Sequence, residues 1–341
     1  MKATDFSKYV TDFFMKYLTH ERGASNNTIS SYRDTFILLS MFMEEEKCIK
    51  LSKLVLNDIT QDVIIEFLNW LQTSRNCSAS TRNQRLAVIR SFFSYIQYRN
   101  PEYMHECHRI MSIKLKKAPQ KTISYLTIEG VKLLLEQPDR TTPKGRRDLA
   151  LLSLMYDTGA RIQEVIDLTA NACRLTKPYT LQITGKGNKT RIVPLMERQV
   201  EILKNYMNEN KLSEPFAGEY LLFSNSRKQK FTRTGITNIF LKYVEKARKV
   251  SPEAIPKKLS CHSLRHSKAM HLLQAGVNLV YIRDILGHVS VQTTETYAKA
   301  DAKFKREALE KAYVNVQPVG AVTAIWIEDQ DLKSWLISLG S

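Results

Sequence analysis

Residues 112–125, Ser-Ile-Lys-Leu-Lys-Lys-Ala-Pro-Gln-Lys-Thr-Ile-Ser-Tyr, interrupt a chain that is otherwise patterned mainly for helices. Four lysines, a proline and no apolar stripe predict an extended basic linker. A break there splits 341 residues into two parts, the number expected at roughly 150 residues per domain. The expected organisation is a helical unit over 1–111, the linker over 112–125, a second unit over 126–315 and a tail over 316–341.

Before the break, apolar residues recur at helical spacing. One helix is predicted from about Asp5 to His20, stopping at Gly23, and a second starts from a cap within Ser25 to Thr28, with Ile29, Tyr32, Phe36, Leu39 and Phe42 on one side. A third follows Thr60, with Val63, Phe67, Leu68 and Leu71 as its buried stripe. A fourth follows Ser78-Ala79-Ser80 and turns Leu86, Ile89, Phe92, Phe93 and Ile96 inward. Its other face is expected to show Arg82, Gln84, Arg85 and Arg90, the layout of a helix lying along DNA.

After the break, helices are predicted from Thr127 to Gln137, around Arg147 to Tyr156 and from Arg161 to Leu168. Residues 179–195 change to a period of two on both sides of Gly185-Lys186-Gly187-Asn188-Lys189, which predicts a β-hairpin. Helices return at about 197–210 and 233–249, and three short ones fall between Ser260 and Ala300. The tail shows a strand-like Ala321 to Glu328 and an amphipathic Asp331 to Leu339. Its apolar Leu332, Trp335, Leu336 and Leu339 suit a contact between protomers. The fold class is therefore mainly α with a small β-sheet or hairpin.

Lys and Arg total 51 against 34 Asp and Glu, a formal charge of +17, which makes nucleic acid the leading partner. The excess is not a terminal tract. Residues 1–70 carry −2, residues 71–120 carry +7 and residues 121–316 carry +14, so each unit is expected to present a basic face. Five cysteines with no Cys-x-x-Cys pair argue against a disulfide framework and a zinc site, and His105-Glu106-Cys107-His108 reads as surface. The Walker spacing is absent around Lys186, so nucleotide binding is disfavoured. No metal and no cofactor is expected. Apolar runs fall short of the ~20 residues that span a bilayer, and residues 1–11 lack the apolar core of a signal peptide. A cytoplasmic, nucleoid-associated protein is expected.

Five segments of the second unit stand out, each weak alone: Thr158-Gly159-Ala160-Arg161-Ile162-Gln163-Glu164, Gly185-Lys186-Gly187-Asn188-Lys189 running into Arg191, His262-Ser263-Leu264-Arg265-His266-Ser267, Leu286-Gly287-His288 and Thr293-Thr294-Glu295-Thr296-Tyr297. In this order, Arg161, Lys186, His262, Arg265, His288 and Tyr297 resemble the catalytic signature of the tyrosine recombinases, the phage-integrase and Xer-like family. The resemblance covers about residues 5–315 and is closest to short two-domain members, some of them phage- or transposon-borne.

The resemblance implies a helical, SAM-like core-site DNA-binding domain followed by a mixed α+β catalytic domain. It implies Tyr297 as nucleophile, Arg161 and Arg265 on the non-bridging phosphate oxygens, His262 and His288 as hydrogen-bond or proton partners, and Lys186 as proton donor to the leaving oxygen. These residue types suit the chemistry. A tyrosine oxygen can be displaced again, so the bond is conserved, and a guanidinium fork matches a phosphate better than an ammonium does. Candidate DNA contacts are Arg82, Arg85, Arg90, Lys189, Arg191, Arg227, Lys228 and Lys230. The expected partners are double-stranded DNA with inverted half-sites and a homotetramer formed from monomers or dimers at synapsis, with accessory proteins left open and no membrane. Two alternatives stand beside this reading: a type IB topoisomerase and a catalytically idle DNA-binding regulator.

Overall fold

The structure, a computed structural model, describes residues 3–119, 123–185, 187–300 and 336–339. The chain divides into two compact units, Met1–Lys121 and Thr122–Ser341.

The first unit is a helical bundle of α1 (Asp5–Asp12), α2 (Asn26–Lys47), α3 (Gln61–Thr73), α4 (Ala79–Ile96) and α5 (Met104–Ser112). Hydroxyl caps set the starts: Thr4, Ser25, Thr60 and Ser78 each accept from a backbone N–H three residues on. The predicted first helix is not uniform. After Asp12 it widens into a π-helix over Phe13–Glu21, where Arg22 N–H donates to Tyr17 C=O at 2.8 Å. The widened turn stacks Phe13 on Tyr17 at 5.4 Å and sets Phe13 edge-on to Phe92 at 5.2 Å. Aromatic packing thus fills the core, with Phe6, Phe13, Phe42, Phe67, Phe92 and Phe93 all buried.

Two expectations for this unit are overturned. The basic face of α4 is not the open stripe expected: Gln84 is exposed, Arg85 and Arg90 are half-buried, and Arg82 is buried. Arg82 is 4% exposed, Arg85 donates to Ser31 C=O and Thr35 Oγ1 at 2.9 and 3.0 Å, and Arg90 donates to Ile113 C=O. Arg85 and Arg90 tie α4 to α2 and to the segment after α5, instead of facing outward. The His105–His108 stretch is not plain surface either. Cys107 is fully buried, and Glu106 accepts from Gln61 N–H at the start of α3 while pairing with Arg109 at 3.0 Å. Among the described residues no group of three or more His, Cys, Asp or Glu side chains could hold a metal ion, and no helix is long and apolar enough to cross a membrane.

The second unit contains α6 (Ile128–Glu136), α7 (Pro143–Thr158), α8 (Ile162–Ile166), β1 (Cys173–Arg174), β2 (Thr180–Thr184), β3 (Thr190–Pro194), α9 (Glu197–Glu209), α10 (Arg233–Val250), α11 (Cys261–Gln274), α12 (Leu279–Leu286) and α13 (Val291–Ala300). α7 begins earlier than its apolar spacing suggests, because Thr142 caps it and Pro143 takes the first helical position, which has no need of an N–H. The strands form an antiparallel sheet in the order β1-β2-β3, with Leu181 opposite Val193 and Ile183 opposite Arg191. β1 was not predicted; two residues are too short for a readable alternation.

Leu181, Ile183 and Val193 face a large core that also holds Leu151, Leu154, Met155, Leu203, Phe223, Phe240 and Leu264. At its edge Asp148 is fully buried, accepting from Tyr243 Oη at 2.9 Å and Arg147 at 2.7 Å. A smaller cluster of Ala269, Met270, Leu273, Ile282, Leu286 and Tyr297 packs α11, α12 and α13 together. Ile123 and Tyr125 join it, and Leu126 N–H donates to Ser267 Oγ at 2.8 Å, so the last residues of the predicted linker belong to this unit. The strand-like Ala321–Glu328, Leu332 and Trp335 lie outside the described residues; Leu336 and Leu339 are exposed.

Candidate active site

Three chain turns meet beside the smaller cluster. The first is the end of α7. Thr158 Oγ1 donates back to Leu154 C=O at 2.7 Å, and Gly159 leaves the helix with φ +58°. The positive φ favours glycine at 159, and a Cβ there would also push on Leu286 Cδ2, 2.5 Å away, so that side chain would have to shift. The turn frees Gly159 C=O to accept from Arg265 at 2.7 Å. It also places Arg161 at the start of α8, where its backbone N–H donates to Glu164 Oε2 at 2.8 Å.

Glu164 gathers the site. Its carboxylate takes the Arg161 guanidinium at 2.8 Å and the Arg191 guanidinium at 2.7 Å. Burial by itself would raise the Glu164 carboxyl, but the hydrogen bonds from Arg191 and from Arg161 N–H and the charge on Arg191 outweigh it and hold the group below its ordinary range. Arg191 also donates to Ile285 C=O at 2.8 Å, and its side chain is only 11% exposed. The expectation that Arg191 faces DNA is therefore corrected: it is an internal strut joining β3 to α8 and α12. Arg161 reaches the third turn by donating to Gly287 C=O at 3.1 Å.

Arg265, on α11, is 1% exposed, and its Nε and one terminal nitrogen have no partner among the described residues. Burial first, then the charge on Arg161, pulls its guanidinium down to about 10. Glu164 pairs with Arg161 and Arg191 and reaches Arg265 only through its charge, so among the described residues three guanidinium groups gather around one carboxylate in a sheltered spot. Such a site is built for an anion with several oxygens, because unpartnered buried donors are costly until something accepts from them.

Two histidines and the tyrosine complete the set. His262, four residues before His266 on α11, meets that ring edge-on at 4.8 Å. It keeps an exposed edge, and desolvation of the rest of the ring, then Arg265 and Arg161, lowers its pKa. α12 ends at Gly287 with φ +66°, and the turn delivers His288, whose Nδ1 pairs with Thr294 Oγ1 at 2.9 Å. Burial, Arg265 and Arg161 push His288 down to about 4, so it is neutral at physiological pH.

Tyr297 lies one turn after Thr294 on α13 and is 3% exposed. Its ring stacks on His288 at 6.3 Å and 11°, and its hydroxyl meets His266 Nδ1 at 3.0 Å. Burial raises its pKa, against the lowering influence of Arg265 and Arg161.

The structure thus brings together five of the six expected catalytic residues: Arg161, His262, Arg265, His288 and Tyr297. Lys186 lies outside the described residues; its neighbours on the hairpin turn, Gly187 and Lys189, are exposed. Arg227, Lys228 and Lys230 are exposed on a turn organised by Asn225 Oδ1, which accepts from the N–H groups of Arg227 and Gln229, and Lys230 pairs with Asp167 at 2.6 Å. Sequence reasoning missed Glu164 as a shared anchor and His266 as the partner of Tyr297. The four-residue spacing of His262 and His266 was the available signal.

The pattern of the Phage integrase family matches residues 124–303, and that of the phage integrase N-terminal SAM-like domain matches residues 11–100. Tyrosine recombinase XerC of Pelotomaculum thermopropionicum is 32% identical over 317 residues, 90% of this chain and 97% of that one. XerD of Listeria innocua is 32% identical over 291 residues, 84% of this chain and 92% of that one. Among solved structures, the XerH site-specific recombinase bound to palindromic difH substrate, in its post-cleavage complex, superposes with a TM-score of 0.64 at 26% identity, covering 85% of this chain and 80% of that one. The chain belongs to the phage integrase family, the tyrosine recombinases, a class of enzymes that break and rejoin DNA.

Proposed function

We propose that the chain recombines double-stranded DNA at specific sites made of inverted half-sites, working as a tetramer on two synapsed duplexes. The observation that carries this reading is Arg265: a nearly inaccessible guanidinium with two idle donors beside a buried tyrosine hydroxyl. A phosphodiester entering there satisfies those donors. Arg161 and Arg265 then hold the charge that grows on its non-bridging oxygens, and the Tyr297 oxygen attacks phosphorus to leave a 3′-phosphotyrosine and a free 5′ hydroxyl. The solved complex of XerH with its DNA supports a DNA substrate. Lys189, Arg227 and Lys228 are exposed and available to phosphates, and Lys230 is exposed but paired with Asp167; Arg191 is spent inside the protein, and Arg82 is buried.

Mapping covalent adducts across a DNA library tests the reading against a type IB topoisomerase. Adducts clustered at pairs of inverted half-sites are the expected result. Scattered adducts, with plasmid relaxation by the monomer, overturn it.

Lys186 supplies the second test. An alkoxide leaves poorly, whereas a thiolate, with a pKa of about 8.5, leaves without a proton. Lys186→Ala should cleave ordinary DNA roughly 10²- to 10⁴-fold more slowly than wild type, the usual worth of a positioned acid. A 5′-bridging phosphorothiolate should bring it back to within a few-fold of wild type. If sulfur restores nothing, Lys186 is not the acid, and Lys189 on the same turn is the next candidate.

A further inference from the structure

The family resemblance offers His262 and His288 as partners for the proton that Tyr297 must lose. When the Tyr297 oxygen forms its bond to phosphorus, the phenol must lose its hydrogen. The two histidines of the family-like signature do not hold that hydroxyl here: His288 stacks on the ring and spends Nδ1 on Thr294, and His262 stands edge-on to His266. Among the described residues, the hydrogen-bond partner of the Tyr297 hydroxyl is His266 Nδ1, at 3.0 Å, with the two ring centroids 5.6 Å apart.

We propose that His266 is the catalytic base of strand cleavage, taking the phenolic proton from Tyr297 on Nδ1 and returning it when the strand is rejoined. The proposal rests on Tyr297 being the nucleophile. The step balances. A lone pair on Oη forms the O–P bond, the O–H pair stays on oxygen as the proton passes to Nδ1, and the P–O5′ pair leaves with O5′, which is protonated in turn. The product is a phosphotyrosine, a 5′ hydroxyl and an imidazolium. Rejoining runs the same transfers backwards.

The surroundings suit a base that starts neutral. Burial first, then His262 and Arg265, hold His266 at about 4, which keeps its Nδ1 lone pair free above that pH but leaves the ring a weak base in the free protein. The negative charge of a bound phosphodiester raises it toward the working range. A neutral ring that accepts on Nδ1 carries its own hydrogen on Nε2. The groups that act on it are His262 and Arg265 on its own helix and Tyr297 on α13, while His288 and Arg161 act on Tyr297. On α7, Asp157 is engaged by Lys268 at 3.1 Å and Tyr156 by His271 at 2.9 Å.

Single-turnover cleavage of a mapped site by full-length protein tests the assignment. Wild type should be flat from pH 6 to 8. His266→Gln should bind the same DNA, cleave about 10²- to 10³-fold more slowly at pH 7, and gain roughly tenfold per pH unit as hydroxide substitutes for the base. His266→Gly should recover activity on addition of imidazole. A loss equal at every pH with no imidazole rescue, or rates within a few-fold of wild type, overturns the proposal. So does the pH slope appearing in His262→Gln instead. Absence of any adduct from the wild type would strike the nucleophile reading itself, which separates the two failures.

Discussion

Tyr297→Phe forms no covalent protein–DNA complex, yet binds its half-sites as the wild type does. The substitution removes one oxygen and keeps the ring that stacks on His288 and fills the cluster with Met270, Ile282 and Leu286. What is lost in the free protein is one hydrogen bond to His266, worth about 1 kcal/mol. That is far too little to unfold the unit, so loss of the adduct reads as loss of the nucleophile. Detergent-resistant adducts on a nicked substrate measure the effect, and binding is followed in parallel by gel shift. A persistent adduct would move the nucleophile to another residue. The DNA-facing surface is untouched, so weakened binding would also contradict the assignment.

The residue types of the site were legible because phosphoryl transfer restricts them so strongly: two guanidinium forks, two imidazoles and a tyrosine in order leave few other chemistries. The helices were legible from their caps. Ser25, Thr60, Ser78 and Thr127 were read as starts, and each accepts the expected backbone N–H. The errors came from reading charge ahead of spacing. Arg82, Leu86, Ile89 and Phe93 recur at intervals of four, three and four, so Arg82 stands on the apolar stripe itself and is buried with it. Arg191 shares with Val193 the face of β3 opposite Ile192, which is 68% exposed; alternation alone placed it inward.

The partnership of His266 with Tyr297 is a different case. It depends on how α13 docks on α11, a contact between residues 31 apart, and local patterning carries no such information. The π-turn at Phe13 is likewise a product of packing, since the same apolar spacing serves an ordinary helix.

Arg265→Met should separate what the site does from what holds the protein up. Cleavage should fall by at least about 10³-fold, because a donor aimed at developing charge is worth about 2.7–4 kcal/mol and Arg265 offers more than one. Arg265→Lys should recover little of it, since an ammonium cannot present a fork. Stability should move the other way. Holding this guanidinium at about 10 corresponds to about 3 kcal/mol against the charged form in the free protein. Methionine fills most of the same space without unpartnered donors, and its main cost is the lost bond to Gly159 C=O, about 1.5–3 kcal/mol. The two nearly cancel or favour methionine, so the melting temperature of Arg265→Met should equal or exceed that of the wild type. A buried arginine kept for structure predicts the reverse, a loss of several kcal/mol with binding and folding failing together. Thermal unfolding without DNA, set beside single-turnover cleavage, decides between them: a protein that tolerates methionine at 265 and no longer cuts has been carrying that charge for its substrate.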